Sequence, residues 1–349
     1  MEMNEKYISK YESLYIELEK KYSKIIKKLD SNNSEDSRFV LNWLAKIVPK
    51  NSLIESEGIC GGGPTRSPRY VSLKGFKKNW QGISLYYDRH ITPKDLRHAN
   101  SPINVAVLME PRHFRPHFYN NLILHNNEYD IILTHNSDIL DRYPDRAVYC
   151  IAGAPVIEDS AIGMNLDNKK RLISTCYSHK GTKSFIGGTS NVPSTEGHIF
   201  RHKVVKHIDN LDGIPDLDLY GSGSPSGPVK LKSDTLINHM FSIAIENGTT
   251  EGYFTEKIMD CFLTGNIPIY RGASKIGDFF DKRGILEFNT LEELEFILKN
   301  KVNIETYEKM LPYAKRNLEI TKQYMYIDDI MLFLILDFLE KKGMIKFYQ

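Results

Sequence analysis

Cysteine is scarce: four residues in 349, Cys60, Cys150, Cys176 and Cys261, lie far apart with no C-x-x-C pair. That pattern excludes a disulfide scaffold, and no Cys/His cluster has the spacing of a structural zinc site. Unpaired thiols fit a reducing compartment. Charge of one sign is also lacking, with 46 Lys+Arg against 44 Asp+Glu and a net charge of +2. This balance disfavours a protein that coats nucleic acid through counterion release. No long apolar run is present either. Residues 330–336 form the longest, and Asp337 ends it, far short of the roughly 20 residues needed to span a bilayer. The N-terminal stretch is charged throughout and has no apolar signal-peptide core. These absences predict a cytoplasmic chain without a membrane anchor. Internal repeats and low-complexity tracts are absent as well.

What is present is 41% hydrophobic residues, enough for full-sized cores, in a length suited to about two domains. Residues 5–30 predict an amphipathic helix, with Tyr7, Tyr11, Leu14, Leu18, Tyr22, Ile25 and Leu29 at steps of three and four. Ser34, followed by Glu35 and Asp36, reads as the start of a second helix carrying Phe39, Val40, Trp43, Leu44 and Ile47, which Pro49 ends. The chain is thus expected to open with a helical hairpin. From residue 50 the texture turns α/β. Short apolar runs at 83–87, 104–109, 130–134, 147–151, 171–176, 241–245 and 267–270 predict strands alternating with helices, the pattern of parallel sheets. Gly265 stands at the stop of a helix over 255–264, and Thr290 with Glu293 makes a capping-box signature. The loop-like stretch 153–168 is the expected domain boundary.

The densest chemistry lies in IENGTTEGYFTEKIMDCFLTGNIPIYRG, residues 245–272. A strand ends near Glu246-Asn247, a glycine loop follows, and a helix starts near Thr255. Ligands of open α/β sheets bind beyond the carboxyl ends of strands, and a helix N-terminus there favours anions. Lys257 in a first helical turn opposes the helix dipole, which an anion such as a diphosphate would explain. Glu256 is placed to accept hydrogen bonds from sugar hydroxyls, and Tyr253 to stack on or bond a sugar. A solvated Glu-Lys pair on a helix end fits the same residues. Arg201, near the start of a helix in HIFRHKVVKHI, is a second candidate phosphate ligand or a surface arginine. Asp216-Leu217-Asp218 has the look of an acidic metal-binding pair but no further ligand, so no metal site is assigned. Cys60-Gly61-Gly62-Gly63-Pro64 lacks any phosphate-loop spacing and reads as a turn.

The 245–272 segment resembles the donor-binding signature of the α-1,3-fucosyltransferases of glycosyltransferase family 10: E-N, a short loop, Y-F-T-E-K, a helix, then G-N-I-P-I-x-x-G. GILEFNTLEELEFILKN (284–300), RHKVVKHI (201–208) and DLYG (218–221) fall where the family has its following strand and helix, its arginine helix and its D-x-Y-G turn. The resemblance is specific over about 170–300, weaker over 100–160 and absent from the hairpin. It implies two Rossmann-like α/β domains facing across a cleft, the GT-B type, and inversion at the anomeric carbon with no metal or other cofactor required. The expected domains are the helical hairpin at 1–50, an acceptor domain at 51–160, a nucleotide-sugar domain at 161–320, and a helix at 321–349 that packs back on the first domain.

By position, the resemblance assigns the diphosphate to Arg201 and Lys257, and the sugar and ribose to Asn247, Tyr253 and Glu256. The base that deprotonates the attacking hydroxyl falls on Glu110 in NVAVLMEPRHF, where the family's Glu-Ser-Pro is Glu-Pro-Arg. Arg112, His113 and Arg115, with His117 nearby, form a basic cluster that suits an acidic acceptor or a solvated loop. Arg271 stands where family members often carry an aromatic. The expected partners are GDP-fucose as donor and an oligosaccharide or glycoconjugate as acceptor, with no nucleic acid. The alternatives are another nucleotide sugar, such as a xylose donor, and a sugar-nucleotide-binding module without turnover.

Overall fold

A computed structural model of the chain describes residues 11, 13–31, 40–43, 66, 69–70, 72–75, 83–97, 102–176, 196–221 and 229–345. These fall into two compact units, Ser13–Ala154 with Gln323–Gln349 and Met1–Glu12 with Pro155–Lys322. Each is an α/β unit built on a parallel sheet, the Rossmann-like architecture expected from the strand and helix alternation. Among the described residues no helix is long and apolar enough to cross a membrane.

The first unit starts with helix α1 (Leu14–Ser31) and continues through β1 (Val40–Trp43), β2 (Ser72–Gly75), β3 (Ile83–Tyr87), α2 (Pro93–Leu96), β4 (Ile103–Leu108), α3 (Pro116–Leu124), β5 (Ile131–Thr134), α4 (Ser137–Arg142) and β6 (Ala147–Tyr149). Its six strands lie in the order β2-β1-β3-β4-β5-β6, every pairing parallel. β3 and β5 are buried at every position, mostly by apolar residues, as strands covered on both faces are. Tyr86, Leu108, Phe118, Leu122 and Ile132 join in one core beneath α3.

The expected hairpin is corrected at its second helix. Val40–Trp43 is strand β1, paired in parallel with β2 and β3, while the rest of 32–48 lies outside the described residues. A short apolar run suits either element, and its backbone partners in the sheet decide. The first helix also begins later than expected. Its buried stripe is Tyr15, Leu18, Tyr22 and Ile26, one position on from part of the predicted set, and Tyr11 instead donates its N–H to Asp278 O at 3.1 Å and stacks on Phe279. Tyr7 lies outside the described residues, as does the 60–64 glycine run.

The second unit runs β7 (Arg171–Cys176), α5 (Glu196–Ile208), β8 (Leu217–Tyr220), β9 (His239–Ile245), α6 (Glu256–Leu263), β10 (Ile267–Arg271), β11 (Leu286–Glu287), α7 (Leu291–Asn300) and α8 (Ile304–Thr321). Its sheet order is β11-β10-β9-β7-β8, again wholly parallel. Ile173, Phe241, Ile243, Ile269, Leu294 and Ile297 form its core. Gly265 ends α6 at φ +71°, where a side chain is strained and a Cβ would push on Leu166, so glycine is favoured at the helix stop. Thr290 and Glu293 exchange backbone N–H bonds at 3.2 Å each, the expected capping box of α7.

The chain then returns to the first unit as α9 (Ile327–Lys341), which packs on α1. Tyr22 stacks on Phe333 and donates its hydroxyl to Glu340 at 2.7 Å, and Lys21 pairs with Glu340 at 2.8 Å. The exposed ion pair is worth at most about 1 kcal/mol. Burying side chains such as Leu18, Ile330 and Leu334 stabilises by roughly 1.5–3 kcal/mol each, so apolar packing holds the two helices together.

Candidate active site

In the second unit the chain leaves β7 towards β8 on one side and resumes at β9 on the other. The strand order therefore reverses between β7 and β9, and the crevice outside their carboxyl ends is where such sheets bind ligands. Glu246 and Asn247 follow β9 at this point. Helix α5 approaches them closely because Gly197 has no side chain: a Cβ there would collide with the Glu246 carbonyl oxygen. With the helix so close, Arg201, 7% exposed, donates from Nε to Ile245 O at 3.0 Å and from Nη2 to Ile245 O and to Asn247 Oδ1, the last at 3.1 Å. These bonds fix the guanidinium at the strand end.

Glu246 is fully buried. Its carboxylate accepts the Thr255 N–H at 2.8 Å and the Thr255 hydroxyl at 2.7 Å, which ties the loop to the start of α6. Lys257 Nζ donates to Thr255 Oγ1 at 2.9 Å and pairs with Glu256 at 2.9 Å and Glu246 at 3.4 Å. Its place in the first helical turn is thus balanced by two carboxylates of the protein itself. Desolvation raises the Glu256 carboxyl, but Lys257 and Lys232 outweigh it and pull it down to about 2. Glu256 is therefore an ionised hydrogen-bond acceptor at any physiological pH. Lys232 is anchored by the buried Asp260 at 2.6 Å, and Asp260 also accepts the Val156 N–H at 2.9 Å.

The structure brings Arg201, Asn247, Glu256 and Lys257 to one sheet edge. Tyr253, in the loop before α6, is 2% exposed and donates its N–H to Thr250 O at 3.2 Å. Asp218 is occupied by Arg171 and His239, at 2.7 Å each. Among the described residues no group of three His, Cys, Asp or Glu gathers as metal ligands. Arg271, at the end of β10, pairs with Glu196 and lies 4.1 Å from the Phe200 ring centroid, bracing the start of α5.

The first unit repeats the reversal between β1 and β3. Asp88, Glu110 and His135 stand just past the ends of the neighbouring strands β3, β4 and β5. The Glu110 peptide accepts the Tyr119 hydroxyl on its carbonyl at 2.9 Å, and its N–H points at Asp88 Oδ1 at 3.4 Å. Burial holds His135 neutral, its pKa lowered to about 4 against the pull of the Glu110 and Met109 backbone. Of the basic cluster, Arg112 pairs with Asp138 at 3.3 Å, Arg115 lies over Phe114 at 4.2 Å, and His113 is exposed.

Asp88, Gly197, Glu246 and Lys232 escaped the reading of the sequence. Glu246 and Asp88 each follow a strand directly, and that placement was their available signal. Gly197 and Lys232 had none, since their roles arise from contacts with residues far along the chain.

Residues 179–326 match the family model described as "Glycosyltransferase family 10 (fucosyltransferase) C-term". The Helicobacter pylori alpha-(1,3)-fucosyltransferase FucT is 25% identical over 155 residues, 42% of this chain and 30% of the relative. An alpha-(1,4)-fucosyltransferase from Arabidopsis thaliana is 35% identical over 65 residues, 18% of this chain and 16% of the relative. The chain therefore spans a third or less of the length of these relatives. A crystal structure of an alpha1,3-fucosyltransferase aligns with 78% of this chain and 82% of its own at TM-score 0.48 and 17% identity. The family model and the two relatives show that this chain resembles the fucosyltransferases of glycosyltransferase family 10.

Proposed function

We propose that the chain is an inverting glycosyltransferase that moves fucose from GDP-fucose to a hydroxyl of an oligosaccharide or glycoconjugate. The observation that carries this reading is the meeting of Arg201, Asn247 and Lys257 at the carboxyl end of β9, inside the segment matched to the family model. Arg201 and Lys257 are assigned to the diphosphate. As the bond from the sugar to the phosphate oxygen breaks, its electron pair stays on the departing GDP, and two cations stabilise the charge that develops there. Asn247 and the ionised Glu256 are assigned to hydroxyls of the sugar and ribose. Glu110 takes the proton of the attacking hydroxyl while its oxygen bonds to the anomeric carbon from the opposite face.

A thermal-shift panel of GDP, UDP and their sugars tests the donor. GDP and GDP-fucose are expected to raise the melting temperature by several degrees at concentrations about a hundred times Kd, where binding adds roughly 2.7 kcal/mol. A larger shift with UDP or a UDP-sugar would transfer the reading to another nucleotide sugar. Glu110→Gln is expected to bind GDP normally and to transfer about 100- to 10,000-fold more slowly; binding with no turnover by the wild type would leave a sugar-nucleotide-binding module.

A further inference from the structure

We propose that Asp88 is a positioning residue for Glu110, holding the Glu110 backbone from the neighbouring strand so that its side chain departs from a fixed point. The inference rests on Glu110 as the base and deepens that reading. Strands β3 and β4 run in parallel, Tyr87 beside Val107, so Asp88 and the Met109-Glu110 pair emerge side by side. At Asp88 the backbone turns into the left-handed region, φ +38°, where side chains are strained and glycine is favoured. A glycine would make the turn with less strain. What aspartate adds is a carboxylate: its Oδ1 accepts the Met109 N–H at 3.0 Å and the Glu110 N–H at 3.4 Å.

The following peptide is held through the Glu110 carbonyl as well. Tyr119 on α3 donates its hydroxyl to Glu110 O at 2.9 Å, and the buried ring of His135, past the end of β5, faces the Met109 and Glu110 backbone. The Glu110 backbone is gripped at its N–H by one element and at its C=O by another. Preorganisation of this kind keeps a reacting side chain within a fraction of an ångström of its productive place.

The charged and titratable groups that face Asp88 are Glu110, Arg115 and Tyr119. Burial, with the Glu110 charge adding to it, lifts the Asp88 carboxyl to about 7 against the pull of the two N–H donors. Neighbouring carboxyls resist ionising together. Below neutrality Asp88 keeps its proton and adds no charge beside Glu110. Above neutrality it ionises beside Glu110.

The test compares wild type, Asp88→Asn, Asp88→Ala and Glu110→Gln between pH 5 and 9. Its readouts are kcat and KM for GDP-fucose turnover, and amide exchange at Met109 and Glu110. Asp88→Ala is expected to lower kcat about a hundred-fold, the cost of a misplaced reacting group, with donor KM unchanged and faster exchange at both amides. Asp88→Asn keeps an oxygen acceptor. It is expected to retain more of kcat than the alanine variant, with slower exchange at both amides than in that variant. A silent Glu110→Gln together with wild-type kcat in Asp88→Ala would overturn the positioning role alone, as would unchanged exchange at both amides. Full turnover by Glu110→Gln would overturn the base reading instead, and amide exchange would still decide whether Asp88 grips the peptide.

Discussion

Asp328 sits in the first turn of α9, 3% exposed, beside Asp329. The two carboxylates are not equivalent. Asp329 accepts the Arg69 and Tyr70 N–H groups at 3.1 Å and pairs with the Arg69 guanidinium. Asp328 Oδ1 is buried without a hydrogen-bond partner. Burial, with Asp329 adding to it, raises the Asp328 carboxyl from 3.8 to about 8. A carboxyl with a raised folded pKa costs nothing below pH 3.8, where both states are protonated. The cost grows as pH rises from there through about 8, because only the unfolded chain ionises readily. Asp328→Asn is therefore expected to stabilise the protein by roughly 2–4 kcal/mol at pH 7 and by little at pH 4. Urea melts at the two pH values check this; an equal effect at both would contradict it. Lys257 shows how far a single residue can be read from sequence. Its misfit with the helix dipole was visible, but the buried carboxylate of Glu246 that balances it was not.

At the scale of elements, the close approach of α5 to the end of β9 is what places Arg201. Gly197→Ala gains helix propensity but drives a Cβ into the Glu246 carbonyl. The collision with fixed backbone outweighs the gain, with an expected loss of about 1–3 kcal/mol. GDP affinity is expected to fall with it, as Arg201 is lifted off Ile245 and Asn247; calorimetry showing unchanged affinity would separate the helix position from the site. Elements with strong local signals were legible. The capping box of α7, the glycine stop of α6 and the strands β3 and β7 stand where the residues put them. Val40–Trp43 is too short to carry a period, and only pairing with β2 and β3 makes it a strand rather than the expected helix. The buried stripe of α1 shifted to Tyr15 and Ile26 because α9, far along the chain, sets which face is covered.

Across the whole molecule the two units share one winding pattern, a strand pair leading one way from the switch point and the remaining strands the other, with no sequence repeat to announce it. Cys150, Cys176 and Cys261 are free, and burial pushes the Cys150 and Cys261 thiols up to about 12, so these two act as small apolar residues. Since Arg201, Asn247 and Lys257 all belong to the second unit, GDP is expected to slow amide exchange over 197–208 and 245–264. Exchange over 131–134 and 147–149, in the first unit, is expected to stay the same. Protection confined to the first unit would overturn the donor assignment.

The sequence by itself determined the α/β class, the strand and helix alternation, and the segment 245–272 with its family resemblance, because these rest on local periodicity and contiguous residues. The tertiary structure decided what depends on residues distant in the chain. It set β1 in the sheet, gave Lys257 its carboxylate partners, let α5 touch β9 through Gly197, and placed Asp88 against the Glu110 peptide. Each of these is a contact between separate elements, and its energy comes from burial and hydrogen bonding that no local pattern records.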